Sequence, residues 1–282
     1  MMTVAQRFLK YTGFETTSCE TSESCPSTPG QMELARALVE ELQEMGVTDA
    51  RVDAHGYVYA SIPPKGDHPA RVGLIAHMDT SPDASGEGIR PSRVRYTGGD
   101  LVLNREKGVV MRPEEFPALA HYVDQELIVT DGTTLLGADD KAGVAEIMSA
   151  LEYLLAHPEV AHGPVSVAFT PDEEIGEGSN HFDVPAFGAK YAYTVDGSKE
   201  GGIEYENFNA AAATVTIHGF SVHPGSAKDA MINASNVAME FHTALPIMAR
   251  PETTKGRQGF YHLCQMYGAV TNAKLRYILR AH

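Results

Sequence analysis

The sequence predicts an α/β fold, in which a mostly parallel β-sheet is flanked by helices and followed by a smaller two-layer α+β domain. Short, nearly continuous apolar runs at residues 72–76, 165–169 and 191–195 are typical of parallel strands buried on both faces. An amphipathic helix at residues 144–155 separates the first two runs. This alternation of strand and helix indicates a sheet covered by helices.

Upstream of these runs, the pattern indicates two helices and a hairpin. Residues 3–12 are predicted to form a short helix, and residues 18–30 a polar loop. Leucines then recur at helical spacing from Leu34 to Leu42. Residues 51–62 alternate with period two, which predicts a hairpin strand.

Beyond about residue 206 the pattern changes, and we expect a domain boundary there. The second domain is predicted from a strand–helix–strand series at residues 210–219, 229–245 and 259–270.

Composition limits the classes of binding partner and indicates a cellular compartment. The formal net charge of −15 opposes binding to nucleic acid and to anionic membranes. The first residues contain no apolar run suited to a signal peptide. The three cysteines, Cys19, Cys25 and Cys264, are too few for a disulfide framework, so we interpret them as free thiols in a reducing cytoplasm.

Acidic residues or histidine follow each predicted strand, at the sheet edge where α/β proteins bind ligands. His77 and Asp79 come directly after the first strand, two residues apart, so both can face the same side. Asp79 can there accept the second ring proton of His77 and orient the imidazole for a metal. Three consecutive carboxylates, residues 172–174, follow the next strand, and Asp196 follows the third.

Two of these clusters also have ordinary explanations. Asp139 and Asp140 stand where a helix begins, and aspartate is a favoured N-cap. Residues 172–174 could form a solvated acidic turn, although adjacent carboxylates repel one another unless a cation holds them. The clusters together favour a catalytic pair of zinc, manganese or cobalt ions, because the ligands are oxygen and imidazole without thiolate.

A family resemblance is carried by five segments, IAHMDTSPDASG, TLLGADDKAGVAEIM, FTPDEEIGEG, AYTVDG and FSVHPGSAKDAMINA. They resemble the successive signatures of the co-catalytic zinc exopeptidases, and among these the tripeptide aminopeptidases. The likeness runs from about residue 5 to residue 280, in the family's order. It implies a zinc-exopeptidase-like fold and a cytoplasmic enzyme that removes the N-terminal residue of short peptides.

The resemblance also implies a metal-ligand set for two zinc ions, with manganese or cobalt as substitutes. His77 and Asp196 would ligate one ion and Glu174 the other. Asp139 would bridge them, because the family's bridging aspartate stands two positions before the lysine.

The same resemblance implies the remaining roles. Asp79 would orient His77, Glu173 would be the general base, and His223 would stabilise the oxyanion. Arg280 would bind the substrate carboxylate. The partner would be a short peptide with a free amino terminus, and an oligomer is compatible with the family.

The family pattern continues beyond Arg280-Ala281-His282, where this chain ends. The resemblance therefore implies that residues 1–206 are the N-terminal part of a dimetal catalytic domain and residues 207–282 the start of an inserted lid domain that is cut short. The returning C-terminal part, with a further metal-ligand histidine, would be absent. We expect impaired or absent activity in such a truncated chain. Two alternatives stay open: a related dimetal dipeptidase or N-acyl-amino-acid deacylase, and a non-catalytic remnant that binds metal or peptide.

Overall fold

The computed structural model describes residues 1–197 and 201–282. They divide into two compact units, Met1–Gly202 and Ile203–His282. The sequence placed this boundary at residue 206. No helix among the described residues is long and apolar enough to cross a membrane.

Among its described residues, the first unit contains four α-helices and nine strands. The helices are α1 Val4–Tyr11, α2 Pro29–Glu44, α3 Ala138–Ala156 and α4 Val184–Phe187. The strands are β1 Arg51–Val52, β2 Val58–Ile62, β3 Val72–His77, β4 Ser92–Arg95, β5 Leu101–Asn104, β6 Val109–Met111, β7 Glu126–Val129, β8 Val165–Thr170 and β9 Tyr191–Thr194.

The principal sheet has the strand order β1-β2-β8-β3-β9. Strand β3 lies parallel to β8 and β9, whereas β2 lies antiparallel to both β8 and β1. The predicted α/β class is confirmed, and the sheet is mixed, because the β1–β2 hairpin enters beside β8 in the opposite direction. The carboxyl ends of β3, β8 and β9 therefore meet at one edge.

Apolar side chains cover both faces of this sheet. Leu34, Leu38 and Leu42 of α2 pack with Val144 of α3 and Phe169 of β8 in the main core. A second, smaller cluster contains Tyr59 of β2, Ala168 of β8, Phe187 of α4 and Tyr57, which precedes β2. Burial on both faces explains why β3 and β8 are nearly continuous apolar runs in the sequence.

Two small antiparallel sheets, β4 with β7 and β5 with β6, lie within residues 92–129. No element was predicted there. They share a separate cluster around Tyr96, Leu101 and Leu119.

The second unit is a three-stranded antiparallel sheet with one helix. Its elements are β10 Asn209–His218, α5 Ala234–Ala244, β11 Phe260–Gly268 and β12 Asn272–Ala281, with the sheet order β10-β12-β11. Ala234 and Ala238 of α5 pack with Ala273, Leu275 and Tyr277 of β12.

Two details of this unit differ from the sequence prediction. Helix α5 begins later than predicted, because the Asn233 side chain accepts the N–H of Ser235 and caps it. Strand β12 was not predicted, although Ala273, Leu275 and Tyr277 alternate with exposed residues along it.

Candidate metal centre

His77 is the centre of a cluster at the carboxyl edge of the principal sheet. It is the last residue of β3, and its ring is buried. Its Nε2 lies 2.9 Å from Oδ1 of Asp139, 3.8 Å from Oδ2 of Asp196 and 3.8 Å from Oε2 of Glu173. A ring nitrogen of His77 and one carboxylate oxygen each of Asp139 and Asp196 lie within 4.8 Å of one another. Residues separated widely in sequence are thus brought together.

Asp79 is fully buried beside the other nitrogen of the His77 ring. Its Oδ1 lies 3.3 Å from Nδ1 of His77, and its backbone carbonyl oxygen lies 3.1 Å from the same nitrogen. The Asp79 carboxylate also accepts the backbone N–H groups of Glu173 at 3.0 Å and Glu174 at 3.1 Å. One carboxylate therefore holds both the imidazole and the acidic segment after β8.

Asp139 and Asp140 occupy different environments. The Asp140 side chain is buried and accepts the backbone N–H groups of His77 at 3.2 Å and Gly143 at 3.1 Å. The capping explanation therefore applies to Asp140. Asp139 has a side chain that is 72% exposed and points its Oδ1 at the His77 ring.

Gly143 allows Asp196 to approach this cluster. A Cβ at residue 143 would lie 1.9 Å from the carbonyl oxygen of Val195 and 2.4 Å from Oδ1 of Asp140. The backbone just before Asp196 thus contacts the first turn of α3 directly, which only glycine permits. The sequence analysis missed this role, although the glycine stands inside the segment ADDKAGV.

The carboxylates and the imidazole are arranged to favour a cation. Burial alone would lower the pKa of His77, but Asp79, Asp140 and Asp196 raise it to about 10. Burial raises the pKa of Asp140 to about 8, with a further contribution from Asp196. Burial, followed by the charge of Asp139, also raises the pKa values of Asp196 and Glu174 to about 6. A metal ion would offset both the burial and the mutual repulsion, so the donor set fits the implied metals.

Asp172 does not face the cluster. It is fully buried, and it accepts the backbone N–H of Ser27 at 2.8 Å and the Nε2 of Gln31 at 2.7 Å. The three consecutive acidic residues therefore differ in role. Asp172 anchors the segment with its side chain, whereas Glu173 and Glu174 donate their backbone N–H groups to Asp79.

A cavity of about 400 Å³ adjoins Glu173. Its lining includes Ile75, Phe182 and Val184, so most of its exposed surface is apolar. This volume lies within the usual range of small-molecule sites, roughly 300–1,000 Å³.

The two remaining predicted site residues lie in the second unit. His223 is exposed, and its Nδ1 accepts the backbone N–H of Gly225 at 3.1 Å. Arg280 on β12 is half-buried, with its guanidinium 5.3 Å from the centre of the Phe208 ring. The roles expected for both residues stay predictions.

Comparison with solved structures defines the class. The chain matches a tripeptidase from Staphylococcus aureus with a TM-score of 0.67 and 20% identity, over 99% of this chain and 66% of that chain. It also matches a dinuclear metal-binding peptidase of the M20 family from Bacillus subtilis with a TM-score of 0.53 and 11% identity, over 99% of this chain and 63% of that chain. Residues 205–282 match the family model of a peptidase dimerisation domain. The fold is that of M20 metallopeptidases.

Sequence comparison gives the family within this class. Peptidase T of Geobacillus kaustophilus is 54% identical over 277 residues, which are 98% of this chain and 67% of that protein. The chain belongs to the peptidase T family of metallo-aminopeptidases. It spans about two thirds of the length of these relatives. The resemblance seen in the five sequence segments is confirmed.

Proposed function

We propose that this chain hydrolyses the N-terminal peptide bond of short peptides, with tripeptides as the main substrates and Glu173 as the general base. One observation carries the proposal. The Glu173 carboxylate lies 3.8 Å from the His77 ring, beside Asp139 and Asp196, while its backbone N–H is held by buried Asp79. A carboxylate whose backbone is anchored beside a candidate cation site suits metal-assisted hydrolysis by water.

The metals we propose are two zinc ions, with manganese or cobalt as substitutes. His77 and Asp196 would hold one ion, Glu174 the other, and Asp139 both. Bound there, the ions would act as Lewis acids that lower the pKa of water and polarise the scissile carbonyl. The buried carboxylate of Asp79 would keep Nδ1 of His77 protonated, so that its Nε2 is available as a ligand.

Glu173 would move the proton in this reaction. Its Oε2 would accept a proton from the attacking water and then deliver it to the nitrogen of the leaving amine. The apolar cavity beside Glu173 would receive a side chain of the bound peptide.

Two further residues have roles that the family resemblance implies. We propose that His223 stabilises the oxyanion and that Arg280 binds the substrate carboxylate, on the strength of the family resemblance. The match of residues 205–282 to a dimerisation domain supports a homo-oligomer. The three free cysteines support a cytoplasmic location.

The proposal is tested by assaying the purified chain, loaded with zinc, against a tripeptide with a free amino terminus. Glu173→Gln should lower kcat by about 10²–10⁴-fold, because the carboxylate that accepts the proton is lost. Glu177→Gln is the matched control, since this exposed glutamate lies on the same segment. It should leave kcat unchanged.

Two other outcomes would replace the proposal. Cleavage of dipeptides or N-acyl amino acids in preference to tripeptides would indicate a related dipeptidase or deacylase. A folded, metal-loaded chain that cleaves none of these substrates would indicate a non-catalytic protein that binds metal or peptide.

A further inference from the structure

A second group of metal-binding side chains lies outside the cluster around His77. It consists of Cys25 from the α1–α2 loop, His55 from the β1–β2 turn and His181 from the loop after β8. One ligand atom from each residue lies within 4.8 Å of the other two. No sequence pattern predicted this group, because its members come from three separate segments.

The two histidines present their rings as a parallel pair. The ring centroids of His55 and His181 are 4.0 Å apart, with an angle of 5° between the planes. Both residues are exposed, and Sγ of Cys25 lies 3.5 Å from the backbone oxygen of His55. In residues 1–197 and 201–282, neither imidazole forms a hydrogen bond with another protein group. The ring nitrogens of His55 and His181 are therefore available as ligands.

Contacts that do not involve the three ligand groups fix the backbone around them. Asp53 accepts the backbone N–H groups of His55 and Tyr57, each at 2.9 Å. The Tyr57 hydroxyl oxygen accepts the backbone N–H of His181 at 3.3 Å. Cys25 packs against the cluster that contains Tyr57. The backbone at His55 and His181 is therefore held by the fold, whereas the two parallel rings have to turn before their in-plane nitrogen lone pairs can point at one ion.

The electrostatic surroundings of Cys25 are negative. Burial raises the pKa of its thiol to about 11, and the charges of Asp172, Asp53 and Glu177 contribute to the increase. The same carboxylates attract a cation. A bound metal would deprotonate the thiol outright, because the positive charge of the ion stabilises the thiolate.

We propose that Cys25, His55 and His181 form a further metal site, which binds one transition-metal ion through a thiolate and two imidazoles. Zn²⁺ and Cu⁺ are the ions that suit these donors, whereas Mg²⁺ and Ca²⁺ prefer oxygen. Three protein ligands leave a fourth position for water. The site differs from the cluster around His77, where the ligands are one imidazole and several carboxylates.

The ion would link segments that support the candidate catalytic residues. Buried Asp172 already ties the acidic segment after β8 to Ser27 in the α1–α2 loop. His181 lies further along that same segment, so an ion shared with Cys25 would close a second connection between the two loops. We expect the site to stabilise the segment that carries Glu173.

Cobalt spectroscopy of the full chain tests this proposal, because thiolate-bound Co²⁺ has a sulfur-to-metal charge-transfer band in the near ultraviolet. Oxygen and nitrogen ligands alone give no such band. Metal-free protein titrated with Co²⁺ under a phosphine reductant should develop the band, and Zn²⁺ should remove it. Cys25→Ser should abolish the band and lower the bound metal by one ion per chain.

Cys19→Ser and Cys264→Ser are the matched controls, since neither cysteine belongs to the group. Both variants should keep the band. A wild-type chain without the band, or a Cys25→Ser chain that retains it, would overturn the proposal. Alkylation of wild-type Cys25 provides a readout independent of the variants, and Zn²⁺ should suppress it; unchanged alkylation would count against the site.

Discussion

The carboxylate of Asp79 accepts the backbone N–H of Glu173 at 3.0 Å, although the two residues follow different strands of the principal sheet, β3 and β8. The same carboxylate lies 3.3 Å from Nδ1 of His77. The position of the proposed base and the orientation of the imidazole therefore depend on one buried side chain.

Asp79→Asn should weaken metal binding and activity by about 10–100-fold, the usual effect of losing the group that orients a metal-bound histidine. The amide keeps the size of the carboxylate but loses its charge and one acceptor oxygen. Zinc affinity measured by competition with a chelator checks this expectation. Asp83→Asn, at an exposed position in the following loop, is the control. Equal zinc affinity in the two variants would contradict the role given to Asp79.

Gly143→Ala should displace the backbone at Val195 and, with it, Asp196. The added methyl group would lie 1.9 Å from the Val195 carbonyl oxygen, so the backbone has to move. We expect a loss of about 1–3 kcal/mol in the free energy of unfolding, together with weaker zinc binding. Chemical denaturation and zinc titration measure the two effects.

Gly197→Ala provides the comparison on the other side of Asp196. No atom lies within 4 Å of a Cβ built at residue 197. The alanine should therefore be tolerated with little change in stability. A similar loss of stability in both variants would show that crowding at Gly143 is not the cause.

Arg7→Met should destabilise the packing of α1 on α2 and α3. The buried guanidinium donates to Glu41 at 2.6 Å, to Ser149 at 2.7 Å and to Glu152 at 3.1 Å. Removing one partner from a buried ion pair costs about 3–5 kcal/mol. We expect a value near the lower limit, because Lys10 still pairs with Glu41.

The measurement for Arg7 is the free energy of unfolding in urea. Arg36→Met is the control at an exposed arginine on α2, where we expect a change within about 0.5 kcal/mol. Equal stability of the two variants would mean that the buried pair contributes nothing beyond a surface charge.

Glu41 should contribute to stability in a pH-dependent way. Burial alone would raise its pKa, but hydrogen bonds and charges from Lys10 and Arg7 outweigh burial and hold the pKa below its usual value of 4.5. A carboxyl with a lower pKa in the folded state stabilises the fold fully above its unfolded pKa. That contribution is lost as the pH falls through the folded pKa.

Glu41→Gln should therefore flatten the acid side of the stability profile below pH 4.5. Urea unfolding across the acid range measures the slope, with the exposed Glu44→Gln on the same helix as the control. An unchanged slope in Glu41→Gln would contradict the lowered pKa.

The order and spacing of local features were enough to predict much of the fold. The leucine repeat from Leu34 to Leu42 corresponds to α2, and the apolar runs correspond to β3, β8 and β9. These predictions succeed because periodicity records which faces of an element are buried. The direction of β2 was not predictable in this way, since a hairpin can join either edge of the strands already present.

The acidic strand ends predicted a cation site at the carboxyl edge of the sheet, and the structure brings His77, Asp139 and Asp196 together there. Residue type and position could not distinguish Asp139 from Asp140, because both stand at a helix start, and only the family resemblance selected Asp139. Tertiary contacts separate them: Asp140 caps the backbone of Gly143, and Asp139 faces His77.

The sequence by itself determined most of the helices and strands of the principal sheet, the family and the candidate ligands, because these depend on residue types and their spacing along the chain. Only the tertiary structure decided which side chains meet. It placed the Val195 carbonyl against Gly143 and brought Cys25, His55 and His181 together from three segments. The physical reason is that contacts between distant segments depend on strand order and register, which no local pattern encodes.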